Sequence, residues 1–369
     1  MAEPTDPSGI PQRKLEHVEI TARQPALGAV TPGWADIYLL HACLPEVDYD
    51  AVDLRTELLG HTLAAPVLIA GMTGGHPQAA PINATLARAV ERFGLGMGVG
   101  SQRAGLRQPA LRGTYAVARE QAPTALLLAN IGLPQLLDQG SEPALTLAQV
   151  QEAIDTLRAD ALVVHLNYLQ EVVQPEGDTR AAGALAALTR LCAALSAPVV
   201  AKETGAGMTR AQAERLKQAG VAALDVGGAG GTSFAVVEAQ RAAARGHTLG
   251  TRLGQTFAAW GIPTAVSVVE TVPVGLPVIA TGGIRTGLDA AKALALGATA
   301  VGIARPALIA ALEGDAALSA WLEGFLAELR AALFLAGAPT VTALRQQRCI
   351  VLGATAAWLE QLGHRLPLR

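Results

Sequence analysis

Eight short apolar runs recur along the chain, and each is followed by a glycine-rich or polar turn and then by an alanine-rich amphipathic segment. Each run is hydrophobic along nearly its whole length, which is typical of a strand buried on both faces of a parallel sheet. The runs lie at residues 66–70, 95–99, 125–129, 161–166, 198–201, 222–226, 277–280 and 300–303. The pattern therefore predicts eight successive β-strand/α-helix units.

The segments between the runs predict helices with recognisable ends. Residues 80–93 carry apolar side chains at helical spacing, and residues 149–158 follow Thr146, which can cap a helix start. Residues 286–296 begin after a glycine-rich turn and stop at Gly297, a natural C-terminal cap. Eight such units favour an α/β fold of the TIM (β/α)8 barrel type over a doubly wound sheet.

Polar side chains are concentrated directly after the predicted strands, and their position supports the barrel. In a TIM barrel the C-terminal strand ends meet at one mouth, which holds the active site. The polar stretches after the strands are 72–75, 101–103, Asn130, 165–167, 202–203, 227–232 and 282–285. Side chains of this kind at the ends of so many strands indicate an enzyme rather than a structural protein.

The segments before and after the predicted barrel differ in the structure that they predict. Residues 1–12 are polar and proline-rich and predict a disordered tail, and residues 13–63 predict a loop-rich N-terminal extension that covers the barrel. Residues 306–369 predict C-terminal helices, in the stretches 307–335 and 341–362, which either close the barrel bottom or form a subunit contact. Residues 13–369 are thus predicted to form a single domain.

Composition excludes several classes of protein. The net charge is −3 and the basic residues are scattered, which gives no electrostatic footprint for nucleic acid. No apolar run reaches the roughly 18 residues of a membrane span, and the start has no apolar signal segment. The three cysteines lie far apart without a paired motif, which favours a reducing compartment. We expect a cytoplasmic enzyme without nucleic-acid or membrane partners.

Two glycine-rich turns near the end of the predicted barrel indicate phosphate binding. Residues 227–232 expose backbone N–H groups ahead of a predicted helix, a combination that favours an anion. The second turn, 281–285, includes Arg285 and is followed after the last strand by Ala304 and Arg305. TIM-barrel phosphate sites are frequently built from the loops after strands seven and eight. Glycine also serves ordinary turns, so a purely conformational role is the alternative.

Lys202 ends the fifth predicted strand inside this mouth, where an unpaired charge is unfavourable. Glu203 is a poor partner, because adjacent strand residues point to opposite faces. Two interpretations remain. Lys202 either pairs with a carboxylate from a neighbouring strand or lies beside the N1–C2=O edge of a flavin, which it would stabilise in the reduced form.

The loop after the fourth strand carries groups suited to a diphosphate with Mg²⁺. His165 and Asn167 can donate hydrogen bonds, Gln170 can orient the reacting end of a substrate, and Glu171 can bind the metal. Mg²⁺ favours one or two carboxylates together with substrate phosphates and waters. Taken singly, His165 is more often a core histidine and Glu171 a first-turn helix acid.

Several motifs together resemble those of one family, the type 2 isopentenyl diphosphate isomerases, from about residue 13 to residue 305. The most specific is the string HLNxxQExxQPEGD at 165–178. The others are Arg13-Lys14-x-x-His17, 72–75, 98–103, 129–132, 228–232 and 281–287. The resemblance implies an FMN-dependent TIM barrel that interconverts isopentenyl and dimethylallyl diphosphate, requires Mg²⁺ and flavin reduced by NADPH, and forms homo-tetramers or homo-octamers.

The resemblance also implies roles for individual residues. The catalytic groups would be Gln170, Lys202 and His165, and Glu171 would bind Mg²⁺. The substrate would be held by Arg13, Lys14, His17, Ser101, Gln102, Arg103, His165, Asn167 and Gln170. FMN would be held by Met72, Thr73, Gly74, Ser101, Asn130, Lys202, Thr232, Gly282, Gly283, Ile284, Arg285, Ala304 and Arg305.

Three positions and one short run depart from the family pattern, all outside the implied catalytic groups. Tyr168 replaces a usual Pro, Gly227 a usual Ser and Ala259 a usual Asp, and residues 204–207 differ from the commoner VGFG-like run. These departures concern local flavin-phosphate contacts and leave the implied reaction intact.

Two other functions compete with the isomerase. An FMN-dependent 2-hydroxy-acid oxidase or dehydrogenase needs a catalytic His near an Arg after a late strand, and residues 226–232 contain no His. A non-catalytic flavin-binding or redox-sensing protein would leave Arg13, Lys14, His165 and Glu171 unexplained.

Overall fold

The computed structural model describes residues 10–23, 28–140 and 142–366. Residues 1–9 of the predicted tail lie outside the described residues. Residues 10–12 belong to helix α1 (Ile10–Arg23), so the predicted boundary after residue 12 falls inside a helix. The rest of the extension holds three short strands, β1 (Ile37–Leu39), β2 (Thr56–Leu58) and β3 (His61–Leu63).

The barrel consists of eight parallel strands, and each of the eight predicted runs overlaps one of them, although β6, β8 and β10 extend beyond the predicted ends. Each strand pairs with the next in sequence, and the last pairs with the first to close the barrel. The fold is therefore a TIM barrel, as predicted. The strands are β4 (Val67–Ile69), β5 (Gly96–Gly98), β6 (Leu126–Gly132), β7 (Ala161–Leu166), β8 (Val199–Glu203), β9 (Ala223–Asp225), β10 (Val278–Thr281) and β11 (Ala300–Ile303).

Helices connect the strands and form the outer layer, and the predicted cap at Thr146 is confirmed, whereas Thr286, predicted inside its helix, caps that helix instead. The hydroxyl of Thr146 accepts from the N–H of Gln149 at 3.3 Å, and that of Thr286 accepts from the N–H of Asp289 at 3.1 Å. The helices up to the last barrel unit are α2 (Ala79–Phe93), α3 (Arg103–Arg107), α4 (Gly113–Gln121), α5 (Leu147–Leu157), α6 (Tyr168–Val173), α7 (Ala184–Ala194), α8 (Arg210–Gln218), α9 (Phe234–Ala244), α10 (Thr248–Thr256), α11 (Thr264–Thr271) and α12 (Gly287–Ala295).

The interior of the barrel is an apolar core that the β2–β3 hairpin closes at the N-terminal strand ends. Leu58 and Leu63 of the hairpin are almost fully buried. They belong to the same cluster as the inward-facing residues Leu68, Leu126, Leu128, Ala161, Val163, Val200, Ala223, Ile279 and Ala300. The hairpin therefore plugs the barrel bottom and leaves the mouth at the opposite end for a ligand.

The C-terminal segment is more divided than predicted. The predicted stretch 307–335 is two helices, α13 (Arg305–Glu313) and α14 (Asp315–Leu335), separated at Gly314, whose φ of 109° breaks the helix. The stretch predicted as helix at 341–362 contains α15 (Val341–Arg345), strand β12 (Cys349–Val351) and α16 (Gly353–Gln361). Strand β12 pairs antiparallel with β1, so this segment binds the N-terminal extension.

Of the helices that the structure describes, none combines the length and the hydropathy that crossing a bilayer requires.

Candidate functional site

A cavity of about 420 Å³ lies at the C-terminal ends of the barrel strands. Every barrel strand contributes to its wall, through a residue in its C-terminal half or in the turn that follows. These strand-end residues are Gly71, Ser101, Asn130, His165, Lys202, Gly227, Thr281 and Ala304. Helix α1 contributes to the wall from outside the barrel, through residues including Lys14 and His17.

The structure brings most of the residues singled out in the sequence to this one cavity. They are Arg13, Lys14, His17, Met72, Ser101, Arg103, Asn130, His165, Asn167, Gln170, Glu171, Lys202, Thr232, Gly282, Gly283, Ile284, Arg285, Ala304 and Arg305. The segment before the barrel and the loops after strands β7 and β10 therefore face a common space.

Three predicted ligand-binding residues do not line this cavity. The Thr73 hydroxyl bonds to Asn83, and Gly74 packs against the ring of Tyr115. Gln102 is buried, where its amide donates to the carbonyl of Ala153 at 2.8 Å and accepts from the N–H of Asn130 at 3.0 Å. These three residues therefore belong to the packing of the turns after β4 and β5.

The cavity wall is strongly basic. Among the described residues it includes six Lys and Arg side chains and a single carboxylate, that of Glu171. The six are Arg13, Lys14, Arg103, Lys202, Arg285 and Arg305. A water-filled cavity with this charge imbalance attracts and binds anions.

Lys14 is partly buried and donates to a neutral group rather than to a carboxylate. Its ammonium donates to the carbonyl of Ser101 at 2.7 Å, and no carboxylate among the described residues pairs with it. Burial and the neighbouring charges of Arg13 and Arg103 lower the pKa of Lys14 to about 7. A bound polyanion would supply the missing counter-charge.

His165 is neutral, and its neighbours define its tautomer. The Asn130 amide donates to the carbonyl of Val99 at 2.9 Å, so its oxygen is the atom that faces His165 Nδ1 at 2.8 Å. Nδ1 therefore carries the proton. Burial and the charges of Lys14, Lys202 and Arg103 lower the pKa of His165 to about 3. An anion among these cations would reverse that shift.

A buried carboxylate that the sequence interpretation missed, Glu238 on α9, organises the wall beside α1. Its Oε1 lies 2.7 Å from His17 Nε2 and accepts from Gln170 Nε2 at 3.0 Å, and its Oε2 pairs with Arg241. Burial alone would raise the pKa of Glu238, but these partners outweigh it and lower the pKa to about 2.

Gln174 extends the Glu238 contacts toward Arg13. With its amide oriented to satisfy both neighbours, Gln174 donates to Glu238 Oε1 at 3.3 Å and accepts from Arg13 Nη1 at 2.8 Å. Helix α1 is attached to α9 as well, because Glu16 pairs with Arg241 at 2.9 Å. Glu238 and Arg241 are separated by three positions in an otherwise alanine- and valine-rich helix, which is the sequence signal that could have revealed them.

Glu171 and Asn167 form the acidic side of the cavity. Glu171 accepts from the Asn167 amide at 2.7 Å and from the N–H of Asp178 at 2.8 Å. Burial raises the pKa of Glu171 even so. The side-chain oxygen of Asn167 is buried and has no hydrogen-bond partner within the part of the chain that the structure describes. A carboxylate that burial destabilises and an unused amide oxygen are together suited to a hydrated divalent cation.

Lys202 has the carboxylate partner that the sequence left open. Its ammonium lies 3.1 Å from Asp225 Oδ2, on the neighbouring strand β9, and both side chains are about nine-tenths buried. The sequence interpretation did not identify Asp225. The sequence feature that could have identified Asp225 is its carboxylate inside an apolar strand, because a buried charge requires a partner.

The two glycine-rich turns approach each other on the late-strand side of the cavity. A Cβ at Gly282 would lie 2.5 Å from the carbonyl oxygen of Gly228, so this approach requires glycine. Among the described residues, the buried Thr281 hydroxyl has no partner, and the Arg285 guanidinium hydrogen-bonds only to the carbonyl of Gly230, at 3.4 Å. An unpaired guanidinium beside two glycine turns fits a phosphate group.

Known proteins resemble this chain at three levels. A family model described as FMN-dependent dehydrogenase matches residues 119–351. A Methanoregula boonei protein named isopentenyl-diphosphate delta-isomerase is 48% identical over 351 residues, covering 94% of this chain and 96% of that protein. A relative with the same name from Archaeoglobus fulgidus is 44% identical over 352 residues, covering 95% and 99%.

Among solved structures, a lactate oxidase of Pediococcus acidilactici aligns with a TM-score of 0.65 at 17% identity, covering 94% of this chain and 92% of that one. A mandelate oxidase variant aligns with a TM-score of 0.61 at 20% identity, covering 94% and 97%. At this identity the solved structures support the fold alone.

Proposed function

The chain belongs to the type 2 isopentenyl-diphosphate delta-isomerases, within the FMN-dependent dehydrogenase family, and from that membership we propose how its residues interconvert isopentenyl and dimethylallyl diphosphate. The reaction moves a double bond, so one alkene carbon gains a proton and the allylic carbon loses one. Reduced FMN, when bound, supplies an acid–base group beside an alkene that is itself a very weak base. The protein must hold the two ligands together.

FMN fits the late-strand side of the cavity. The turns at 227–232 and 282–285, with Arg285 and Arg305, are suited to its phosphate, and the unpartnered Thr281 hydroxyl is available to a ligand. Lys202 faces the same space from β8 and would place a positive charge at the ring, which favours the reduced form. We propose NADPH as the reductant, in line with the family resemblance.

The substrate diphosphate fits the side of the cavity beneath α1. Lys14, Arg13 and Arg103 supply positive charge there, and His165 and Asn167 lie next to them. The low pKa of Lys14 supports this assignment, because two or more negative charges would restore its ordinary affinity for a proton. Gln170 forms hydrogen bonds with Glu238 and with Asn167, and it would contact the allylic end of the substrate.

Mg²⁺ fits between Glu171 and the diphosphate. Among the described residues no group of three or more His, Cys, Asp or Glu side chains could hold a metal. One carboxylate with substrate oxygens and waters is the arrangement that Mg²⁺ commonly adopts. The buried oxygen of Asn167 could then accept from a metal-bound water.

We also propose a cytoplasmic homo-tetramer or homo-octamer without nucleic-acid partners. Cys43, Cys192 and Cys349 are all free, which agrees with a reducing compartment. Leu40 and Leu352, beside the β1–β12 ladder, and Leu44 are half or more exposed. Neighbouring exposed apolar side chains are typical of surfaces that subunits cover.

The observation that supports the isomerase most directly is the joining of two basic regions in one cavity, whose described lining includes a single carboxylate, that of Glu171. An anaerobic assay with purified protein, FMN, NADPH, Mg²⁺ and isopentenyl diphosphate tests it, and dimethylallyl diphosphate is the expected product. Peroxide formed in air from a 2-hydroxy acid would instead support the oxidase. Flavin binding without either reaction would indicate a non-catalytic flavoprotein.

A further inference from the structure

The pair formed by Lys202 and Asp225 lies directly beneath the large cavity. The two residues are register partners on the neighbouring parallel strands β8 and β9. Lys202 lines the large cavity, whereas Asp225 does not, and both line a much smaller cavity deeper in the barrel. The ammonium therefore lies between the carboxylate and the space assigned to the flavin.

Hydrogen bonds fix both members of this pair. One oxygen of Asp225 contacts Lys202 at 3.1 Å, and the other accepts from the N–H of Gly227 at 3.2 Å. Lys202 also donates to the carbonyl of Glu203 at 3.2 Å. An ammonium has three hydrogens, so two are committed to the protein and one is left for the cavity.

The other charged or titratable groups near Lys202 do not provide a counter-ion in place of Asp225. His165 on β7 is neutral. The carboxylate of Glu203 on β8 accepts from the backbone N–H groups of Gly205, Ala206 and Gly207. Lys14, in the same cavity, shows what happens to a buried lysine without a carboxylate partner, because its pKa falls to about 7.

We propose that Asp225 is a positioning residue that keeps Lys202 charged and directs it at the flavin ring. This inference rests on the proposed FMN site. Asp225 touches neither ligand in this arrangement and acts only through Lys202. If Asp225 only neutralised the charge of Lys202, removing its carboxylate would have the opposite effect, because the positive field at the flavin ring would become stronger.

The test is the midpoint potential of bound FMN between pH 6 and pH 9 in the wild type, Asp225→Asn, Lys202→Met and the double variant. Asparagine can still accept from the Gly227 N–H but leaves the ammonium without a counter-charge. At pH 8.5 we expect Asp225→Asn to weaken the preference for reduced over oxidised FMN roughly tenfold, which is about 30 mV for a two-electron couple. At pH 6 the difference from the wild type should largely disappear.

The remaining variants separate the proposal from its alternatives. In the Lys202→Met background Asp225→Asn should cause no further shift, since the residue through which it acts is absent. Asp178→Asn, which removes a buried partner of Arg103 on the substrate side, should retain the wild-type pH profile. At pH 8.5, an unchanged or raised potential in Asp225→Asn, or an equal shift in both backgrounds, would overturn the proposal.

Flavin content and circular dichroism are measured for every variant. A wild type that binds no FMN would contradict the proposed function, whereas FMN binding with no effect of Asp225→Asn would contradict this inference alone. If Asp225→Asn does not fold, Asp225→Glu keeps the charge, and the proposal then predicts a potential that follows the wild-type pH profile.

Discussion

At the scale of single residues, burial and like charges shift the pKa values of several groups in the cavity. Burial and then the neighbouring cations lower the pKa values of Lys14 and His165, and burial raises the pKa of Glu171. Opposite shifts on the basic and acidic sides are what a site for a polyanion and a cation should show before either is bound.

Glu171→Gln is expected to abolish Mg²⁺-dependent isomerisation while FMN stays bound. The amide removes the negative charge that a divalent cation requires, but its oxygen can still accept from Asn167. Initial rates over a range of Mg²⁺ concentrations, together with the flavin content, check this outcome. Activity equal to that of the wild type at low Mg²⁺ would show that the metal binds elsewhere.

The pKa of Lys14 predicts a pH dependence of kcat/KM. The protonated ammonium binds the diphosphate, so kcat/KM should fall as the pH rises above about 7, the pKa of the free enzyme. Lys14→Met should lower kcat/KM roughly 10- to 100-fold at pH 6 and remove this part of the decline. Lys217→Met, which also loses a bond to a backbone carbonyl but lies outside the cavity, is the matched control. A decline that persists in Lys14→Met would assign it to another group.

At the scale of elements, the continuous apolar runs were sufficient to predict the eight barrel strands, since a strand covered on both faces leaves an unambiguous pattern. The short strands β1 and β12 were not predicted, because each has three residues and forms only by pairing across almost the whole chain. Helix α1 was also missed. Its polar face meets Glu238, Arg241 and Arg245 rather than an apolar core, so its sequence lacks a wide apolar stripe.

The β2–β3 hairpin should contribute to stability as the plug of the barrel. Leu58→Ala is expected to lower the free energy of unfolding by about 2–5 kcal/mol, because it leaves a cavity in the barrel interior. Leu249→Ala, at a side chain that is 61% exposed, should change it by no more than about 0.5 kcal/mol. Denaturant titrations at several protein concentrations measure both values. Equal effects would contradict the role assigned to the hairpin.

At the scale of the whole molecule, the sequence placed most of the candidate residues correctly at one mouth, because strand ends in a barrel must converge. It did not reveal which side chains pair within that mouth. Lys202 with Asp225, and Glu238 with His17 and Gln170, depend on strand register and helix rotation, which no local pattern specifies. The fold and the reaction were therefore more accessible from sequence than the electrostatics of the site.

The most direct test of the central claim is the stoichiometry of the reaction measured from both directions. Anaerobic mixtures that start from isopentenyl diphosphate or from dimethylallyl diphosphate, with catalytic NADPH, FMN and Mg²⁺, should reach the same product ratio. NADPH consumption should stay near one equivalent per enzyme-bound flavin, because the isomerisation has no net redox change. Consumption in proportion to product, or conversion that does not approach the same ratio from both substrates, would contradict the account.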